Sequence, residues 1–417
     1  MRILTLNSKT EQQLLRARAQ RDIEAQRVAA RIIADVRKRG DAALAAWASK
    51  LDGADLKRDG LWFSPKELRE AFSRTSPEFR RAIAHAARNI RRVAEKQLPR
   101  PWRLEVEPGV EIAQVVRPIA AVGCYIPGGR FALVSTLLMT AVPAQVAGAK
   151  RIVVVCPKPN NEVLAAAYFL GVQEVARIGG AQGIAALAYG TQSLARVDKI
   201  FGPGNRFVTA AKQLVSADCA IDLPAGPTEA VVLATKGDAT FIASDLLAQA
   251  EHAPDAGSFL VTTSRRLATE VQRAVTEQLS RLPSTNLAHG SIEKSGAILL
   301  APNLAAACAF VNSFAAEHLS LPDAGESLLK KITAAGTIFV GPLGAQPLGD
   351  YASGSNHVLP TGGWARSRGG LSAADFVKCI SVQTIRRRGF ASLAKDVMTL
   401  ASAEGLLAHA QAVRVRQ

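Results

Sequence analysis

Residues 119–156 read IAAVGCYIPGGRFALVSTLLMTAVPAQVAGAKRIVVVC, and this stretch decides the fold class. It begins and ends with short apolar runs rich in β-branched residues, and a longer segment of helical character separates them. The same alternation continues along the chain through the runs EVARI, DKIFG, EAVVLAT, SFLVTT, GAILL and GTIFVG. Strands that alternate with helices form mostly parallel sheets flanked by helices, so the sequence predicts an α/β protein.

The alternation divides into two blocks of similar order. We assign residues 121–228 to the first block and residues 229–370 to the second, and we expect each to form a doubly wound sheet. Residues 1–120 carry apolar residues at three-to-four spacing, which predicts a helical segment, and we expect this segment to pack on the second block. The tail, residues 371–417, is also expected to be helical.

Composition and charge argue against several classes of protein. Hydrophobic residues make up 48% of the 417 residues, which indicates a folded chain. No apolar run reaches membrane-spanning length and the N-terminus lacks a signal peptide, so we expect a cytoplasmic protein with no membrane partner. The net charge of +16 would suit a nucleic-acid-binding protein. However, the basic residues are spread along helices among acids, and aromatic residues for base stacking are few, so we expect no nucleic-acid partner.

The five cysteines are widely spaced and odd in number, which predicts neither a disulfide framework nor a Cys-x-x-Cys metal site. Cys124 and Cys156 lie inside apolar runs, which favours buried, inert thiols. Because Cys124 comes just before a glycine-rich turn, a catalytic thiol at this position is the alternative.

Glycine-rich loops follow strands of the first block, at positions where parallel sheets bind their ligands. They are CYIPGGR (124–130), IGGAQG (178–183) and FGPGN (201–205). Glycine lets the backbone approach a ligand, and the free N–H groups of a following helix favour anions. Each loop also carries a polar side chain, namely Tyr125, Gln182 or Asn205. Together the loops predict a dinucleotide or phosphate site, although none is a GxGxxG motif and each glycine has a purely steric explanation as well.

Four of the six histidines lie near acids or amides. The pairs are Gln249 with His252, Glu317 with His318, Asp350 with His357, and Glu404 with His409. Imidazole, carboxylate and amide oxygen ligate zinc, and Gln249 and His252 share one face of a helix end. Adjacent carboxyl and imidazole groups suit general acid–base catalysis near neutral pH. The alternative is that these histidines are unrelated and never converge.

Taken together and in order, the motifs resemble those of the histidinol dehydrogenase family. They are CYIPGGR, IGGAQGIAALAYGT, KIFGPGN, DLPAGPTE, DLLAQAEHAPD, AAEHLSL, GDYASGSNHVLPTGG and AEGLLAH. Several of them are long and specific, and the resemblance covers the chain from about residue 15 to residue 413.

This resemblance implies a zinc-dependent, NAD-linked enzyme that oxidises L-histidinol to L-histidine through histidinaldehyde, with one zinc ion per subunit. The positions that match the zinc ligands are Gln249, His252, Asp350 and His409. Those that match the acid–base pair are Glu317 and His318, and those that match the NAD contacts are Tyr125, Gln182 and Asn205. The positions that match the substrate contacts are Thr228, Gln249, His252, His318, Asp350, His357, Glu404 and His409.

The family resemblance further implies two incomplete Rossmann-like domains per chain and a homodimer. The C-terminal segment would cross to the partner subunit, so that Glu404 and His409 serve the partner's site. Thr228 stands where the family commonly has serine, Phe207 stands where tyrosine is usual, and RFALVSTLLM lacks a proline common in the family. These departures leave an alternative, an enzyme of the same reaction type that oxidises another small alcohol such as sulfopropanediol. The resemblance assigns no role to Glu251.

Overall fold

The structure is a computed structural model that describes residues 1–18, 22–128, 133–223, 226–323 and 326–417. Its strands are β1 (Arg2–Thr5), β2 (Trp102–Glu107), β3 (Val110–Pro118), β4 (Ala121–Tyr125), β5 (Arg151–Val155), β6 (Glu174–Ala176), β7 (Lys199–Phe201), β8 (Ala220–Ile221), β9 (Glu229–Leu233), β10 (Gly257–Thr262), β11 (Gly296–Leu300), β12 (His318–Leu321), β13 (Thr337–Val340) and β14 (Val377–Ile385).

The helices form in the segments whose apolar residues recur at helical spacing. They are α1 (Ser8–Arg18), α2 (Ile23–Arg39), α3 (Asp41–Trp47), α4 (Leu56–Asp59), α5 (Pro65–Ser73), α6 (Pro77–Gln97), α7 (Val134–Ala147), α8 (Asn161–Phe169), α9 (Gly180–Tyr189), α10 (Arg206–Val215), α11 (Ala239–Ala250), α12 (Arg265–Arg281), α13 (Ala288–Ser295), α14 (Leu304–Phe314), α15 (Glu326–Leu329), α16 (Gln346–Tyr351), α17 (Arg387–Ala403) and α18 (Leu407–Arg414). Within the described ranges, no helix combines the length and apolarity that crossing a membrane requires.

The first block forms a parallel sheet with the strand order β6-β5-β4-β7-β8. This is the doubly wound arrangement in which the chain starts at the centre and builds outward in both directions. Helices cover both faces, so the central strands are fully buried, as Val153, Val154 and Val155 illustrate. Burial on both sides explains why these strands read as continuous apolar runs rather than alternating ones.

The second block repeats this topology in its sheet β1-β11-β10-β9-β12-β13, again with all neighbours parallel. Numbered along the chain from β9, the strands of the second block lie in the order third, second, first, fourth, fifth. The strands of the first block, numbered from β4, lie in the same order. The N-terminal strand β1 adds a further strand beside β11, with Arg2 paired to Ala297 and Thr5 to Leu300. The prediction of an α/β protein with two similar blocks is therefore confirmed.

The prediction that residues 1–120 pack on the second block is wrong for most of that segment. β1 and α1 do join the second block, where Leu14 and Leu15 pack against its core. In contrast, α2 packs on α9 and α10, α5 packs on α8, and α6 packs on α7, all of which belong to the first block. The physical reason is that α2 buries an apolar stripe, including Ala29 and Ile32, that completes the cover of one face of the first sheet.

The two end segments are also less helical than predicted. Strands β2 and β3 pair antiparallel, and β14 from the C-terminal tail pairs with β3 to complete a small three-stranded sheet. The β-branched residues of β14 favour a strand in this position. Beyond it, α17 and α18 pack on each other as a helical hairpin. This hairpin exposes large apolar side chains, including Leu400 at 65% and Leu407 at 72%.

Candidate active site

The first group of site residues lies where the parallel strands of the second sheet begin, which we call the amino edge of that sheet. Thr228 directly precedes β9, and Glu317 and His318 stand at the start of β12. Because β9 and β12 are neighbours with His318 in register with Ala230, these side chains come together. Gln249 reaches the same edge from the C-terminal end of α11.

A chain of hydrogen bonds connects the polar side chains at this edge. The Thr228 hydroxyl donates to Glu317 Oε2, and Gln249 Nε2 donates to Thr228 Oγ1 at 2.6 Å. Gln346 Nε2 in turn donates to Gln249 Oε1 at 2.6 Å. The backbone N–H of Glu229 also donates to Glu317 Oε2 at 3.0 Å. The orientation of Glu317 is therefore fixed by the protein before any ligand is bound.

His318 lies between two carboxylates in a buried position. Its Nδ1 is 3.8 Å from Glu317 Oε2, and its Nε2 is 3.4 Å from Asp350 Oδ1. Burial alone would lower the pKa of His318, but the charges of the two carboxylates outweigh it and raise that pKa above its ordinary value. Both ring nitrogens are buried without a hydrogen-bond partner among the described residues. Such an imidazole is suited to take up a proton from a ligand.

The two carboxylates beside His318 titrate differently. Burial raises the pKa of Glu317, which opposes ionisation of that side chain. Asp350 is also buried, but the interaction with the neighbouring His318 ring, whose Nε2 is 3.4 Å from Oδ1, outweighs burial and holds the pKa of Asp350 below its ordinary value. Acid and base roles are commonly assigned by environments that separate two pKa values in this way.

His252 has the tautomer that a metal ligand needs. Its Nδ1 lies 2.9 Å from the carbonyl oxygen of Ala248, so this nitrogen carries the hydrogen and the Nε2 lone pair is free. Together with the Asp350 carboxylate and the amide oxygen of Gln249, this nitrogen forms a donor set of nitrogen and oxygen atoms that fits zinc.

The structure brings together three of the four predicted metal ligands, and His409 is not among them. His409 and Glu404 are exposed on the helical hairpin of α17 and α18, away from the site of the same chain. Accordingly, no group of three or more His, Cys, Asp or Glu side chains that could hold a metal is found among the described residues. One chain alone supplies Gln249, His252 and Asp350.

His357 connects the two blocks beside this site. Its Nδ1 donates to the backbone oxygen of Asp350 at 2.8 Å, so its Nε2 accepts from Thr136 Oγ1 at 3.0 Å. Thr136 lies on α7, which belongs to the first block. Burial lowers the pKa of His357, in agreement with a neutral ring that is used at both nitrogens.

The second group of predicted residues lies at the opposite end of the first sheet, where its strands stop, which we call its carboxyl edge. The Tyr125 hydroxyl accepts from Gly180 N at 3.1 Å. Asn205 caps α10, and its Oδ1 accepts from Phe207 N at 3.0 Å and Val208 N at 3.1 Å. These bonds fix the loops that lead into the N-terminal ends of α9 and α10, where free N–H groups favour an anionic ligand.

Gln182 lies on α9 beneath the surface of this edge, and its side chain is fully buried. Its Nε2 donates to Asp52 Oδ2 at 2.9 Å, and Gly179 N donates to the same oxygen at 3.1 Å. Burial raises the pKa of Asp52. In this arrangement the Gln182 side chain positions the loop and does not face the surface where a cofactor would bind. Sequence reasoning missed Asp52, which no motif marks.

At least one glycine in each of the three loops is required by close packing. A Cβ on Gly128 or Gly179 would overlap Pro157, and one on Gly202 would lie 2.2 Å from the backbone oxygen of Tyr125. Gly202 also has a φ of +109°, which side chains rarely adopt. Parts of three predicted motifs lie outside the described residues, namely 129–130 of CYIPGGR, 130–132 of RFALVSTLLM and 224–225 of DLPAGPTE.

A buried ion pair that sequence reasoning missed holds the last of these loops. Lys212 and Asp222 pair beneath the carboxyl edge, and Lys212 Nζ also donates to Gly202 O at 2.7 Å. Asp222 Oδ2 accepts from Gly202 N at 2.7 Å. The sequence does contain a signal, because Lys212 stands at helical spacing between Val208 and Val215, on the apolar stripe of α10.

The carboxyl edge of the second sheet is closed by its own side chains. Asp323, just after β12, accepts from Thr235 N at 3.0 Å, from Thr235 Oγ1 at 2.7 Å and from Lys236 N at 3.1 Å. The N–H groups that would face a ligand beyond β9 are therefore already occupied by a carboxylate.

The alternative of a catalytic thiol at Cys124 is excluded by its surroundings. Cys124 is fully buried in the centre of the first sheet, and burial raises the pKa of its thiol to about 12. A thiol in such surroundings is not a nucleophile at neutral pH. Cys156 is buried as well, and burial raises its pKa to about 12 too, so the prediction of inert thiols is confirmed for both.

Comparison with known proteins agrees with this geometry. The model of the histidinol dehydrogenase family matches residues 15–417. The chain belongs to this family. It is 45% identical to histidinol dehydrogenase of Methanothermobacter thermautotrophicus over 392 residues, and this match covers 92% of each chain. The enzyme of Salmonella typhi is 44% identical and covers 92% of this chain and 89% of its own.

A solved structure of the family shares the whole fold. Histidinol dehydrogenase from Elizabethkingia anophelis superimposes with a TM-score of 0.93 at 36% identity, and the match covers 100% of this chain and 98% of that one. The resemblance inferred from the motifs is thus confirmed as histidinol dehydrogenase family membership. The alternative of a relative that acts on sulfopropanediol gains no support from these comparisons.

Proposed function

We propose that the protein oxidises L-histidinol to L-histidine through histidinaldehyde, as the last steps of histidine biosynthesis, and that two NAD molecules are consumed in succession. The observation that carries this proposal is the buried His318 between Glu317 and Asp350, in a chain of the histidinol dehydrogenase family. The protein is an NAD-dependent oxidoreductase by family. We also propose that it acts in the cytoplasm.

His318 is proposed as the base that takes the hydroxyl proton of the substrate. Its raised pKa and its two flanking carboxylates stabilise the protonated ring that results. NAD, when bound, would supply the acceptor for the hydride that leaves the carbon bearing this hydroxyl group. His318 has to release its proton to solvent before the second oxidation, because Glu317, 3.8 Å from the ring, must be ionised to activate water.

Glu317 is proposed to activate the water that the second oxidation needs, since the aldehyde must be hydrated before another hydride can leave. Thr228 and the backbone N–H of Glu229 both donate to Oε2, which leaves Oε1 to accept a proton from water. Thr228 supplies the hydroxyl that serine supplies in much of the family, so this departure preserves the hydrogen bond.

We propose that Gln249, His252 and Asp350 hold a zinc ion, together with His409 of the partner subunit. The free Nε2 of His252 and the lowered pKa of Asp350 support this donor set. When bound, zinc would orient the imidazole and the amine of the substrate. Replacement of His252 with alanine should remove most of the metal, as measured by elemental analysis of the purified protein, and full metal content would contradict the assignment.

A homodimer is proposed because one chain leaves large apolar surfaces exposed. On α16 and the preceding loop, beside Asp350, the exposed side chains include Leu343 at 79%, Leu348 at 55% and Tyr351 at 60%. Contiguous exposed apolar surface of this kind marks protein–protein contacts. The hairpin of α17 and α18 exposes a comparable apolar surface together with Glu404 and His409. A partner's hairpin placed against α16 would cover both surfaces and complete the substrate and metal site.

For the nucleotide, we propose the carboxyl edge of the first sheet. Tyr125, Gln182 and Asn205 would shape this edge by the bonds described above, and the N-terminal ends of α9 and α10 would face the phosphates. The decisive experiment measures NADH formed per molecule of histidinol. A ratio of two, with no NADH from sulfopropanediol, is expected. Faster oxidation of sulfopropanediol than of histidinol would overturn the proposed substrate.

A further inference from the structure

Gln346 is a buried residue to which neither the motifs nor the proposed mechanism gives a role. It begins α16, and its side chain is only 1% exposed. Its Nε2 donates to Gln249 Oε1 at 2.6 Å. Its own Oε1 is buried and has no hydrogen-bond partner among the described residues. An unpaired buried oxygen destabilises the fold, so the contribution of this amide to stability does not explain its presence.

The amide of Gln249 is fixed at both ends. The Thr228 hydroxyl uses its hydrogen for Glu317, so Thr228 Oγ1 accepts a hydrogen bond and Gln249 must present Nε2 to it. Gln346 then donates to the other end, which must be Oε1. If the Gln249 amide were turned over, its hydrogen bond to Thr228 would be lost. Thr228 therefore determines which end of the Gln249 amide is the oxygen, and the hydrogen bond from Gln346 holds that oxygen in place.

An amide ligates a divalent cation through its oxygen and not through its nitrogen. A carbonyl oxygen has two lone pairs, so Gln249 Oε1 can accept from Gln346 and still bind a metal. The hydrogen bond from Gln346 keeps this oxygen in place. Asp350, one turn after Gln346 on the same helix, is itself a proposed ligand. The short helix α16 thus carries both a proposed ligand, Asp350, and a residue, Gln346, that hydrogen-bonds to another proposed ligand.

We propose that Gln346 is a positioning residue for the metal site, which holds the amide oxygen of Gln249 in the orientation that binds a divalent cation. This inference rests on the proposed ligand role of Gln249. Residues that hydrogen-bond to metal ligands typically change metal affinity by about 10–100-fold when they are replaced. Gln346→Met keeps the length of the side chain and removes the donor, so a loss of zinc affinity in this range is expected.

The test measures the zinc dissociation constant of the full-length protein by competition with a chelator, which requires no enzymatic activity. The matched control is Gln145→Met on α7, where a glutamine Nε2 also donates at 2.6 Å, in this case to Leu170 O in the first block. Gln145→Met should leave zinc affinity unchanged. The absorption spectrum of the cobalt-substituted protein should change for Gln346→Met and not for the control, because the ligand geometry differs.

A second background separates orientation from general packing. Gln249→Glu places an oxygen at both ends of the side chain, so its orientation no longer matters. In this background Gln346→Met should change zinc affinity by no more than about twofold. Equal losses in both backgrounds would overturn the inference, and so would unchanged affinity in the native background. Failure of the native protein to bind zinc would overturn the proposed metal site together with this inference, whereas tight native binding with unchanged Gln346→Met affinity would overturn the inference alone.

Discussion

The two sheets of this protein share one strand order but present their functional groups at opposite edges. At the carboxyl edge of the first sheet, glycine-rich loops lead into the N-terminal ends of α9 and α10, and we propose that this edge binds the nucleotide. The second sheet has this edge closed by Asp323 and instead collects Thr228, Glu317 and His318 at its amino edge. One topology thus places the predicted site residues at different edges, because the side chains that surround each edge differ.

The largest expected effect tests the chemistry at the amino edge of the second sheet. Glu317→Gln keeps the shape of the side chain and removes its basicity, so oxidation of the aldehyde should slow by about 10²–10⁴-fold. Oxidation of the alcohol should be much less affected, because that step needs no water. His318→Gln should impair both steps, since each begins with proton removal from an O–H group.

The measurement for this pair is single-turnover NADH formation from histidinol and, separately, from supplied histidinaldehyde. Equal losses in both half-reactions for Glu317→Gln would assign this residue to positioning His318 and would remove its role in water activation.

The next effect tests the carboxyl edge of the first sheet. Lys212→Met leaves Asp222 buried without its partner, which should lower the free energy of unfolding by about 3–5 kcal/mol. NAD affinity should also fall, because Lys212 and Asp222 hold Gly202 in the loop. Zinc affinity should not change, since the metal site lies on the other sheet. Denaturant unfolding and titration with NAD and zinc provide the measurements.

The control for this variant replaces both partners. Lys212→Met combined with Asp222→Leu removes the pair without leaving a charge, and most of the lost stability should return. A double variant as unstable as Lys212→Met would show that packing, rather than the unpaired carboxylate, determines the loss.

A smaller effect tests whether Asp323 closes the corresponding edge of the second sheet. Asp323→Ala removes the acceptor for the N–H groups of Thr235 and Lys236, which should cost about 1–3 kcal/mol of stability. Histidinol oxidation by the folded enzyme should continue at the native rate, because this edge takes no part in the reaction. Loss of activity at a temperature where the variant stays folded would contradict the proposal that the carboxyl edge of the second sheet takes no part in the reaction.

The last test asks whether the proposed metal site at the second sheet is completed within one chain or by the partner subunit. Chains carrying His252→Ala and chains carrying His409→Ala should each be inactive, yet mixed dimers should contain one site with neither change. Random exchange of equal amounts should restore about a quarter of native activity, because half of the dimers are mixed and each has one intact site. No recovery in verified mixed dimers would mean that each site is built from a single chain.

The sequence was sufficient to predict the features that depend on neighbours along the chain. The buried parallel strands were predicted from continuous β-branched runs, and the carboxyl edge of the first sheet from its glycine-rich turns. The packing of residues 1–120 was not predictable, because the apolar stripe of α2 would fit any apolar face and spacing alone does not name its partner. The strand β14 was missed since its pairing with β3 joins residues about 270 apart.

The residues of the candidate site that belong to family motifs were predicted from the sequence, whereas the residues that position them were not. The ligand and catalytic positions came from family motifs, while the rule that ligands bind at carboxyl ends indicated only the first sheet. Asp52 and Gln346 were missed because each acts through a contact that is distant in sequence, with Gln182 and Gln249 respectively. Lys212 was missed as well, although a lysine on the apolar stripe of a helix is a signal that the sequence does contain.

The place of β1 beside β11 has a consequence for the order in which the protein folds. Residues 2–5 pair with residues 297–300, so β1 belongs in a sheet whose neighbouring strand is synthesised about 300 residues later. At about 5–20 residues per second, β1 waits roughly 15–60 s for its partner. The first block has all its strands by residue 221 and can fold earlier. During this interval the backbone N–H and C=O groups of β1 lack their native partners and stay open to pairing with other strands.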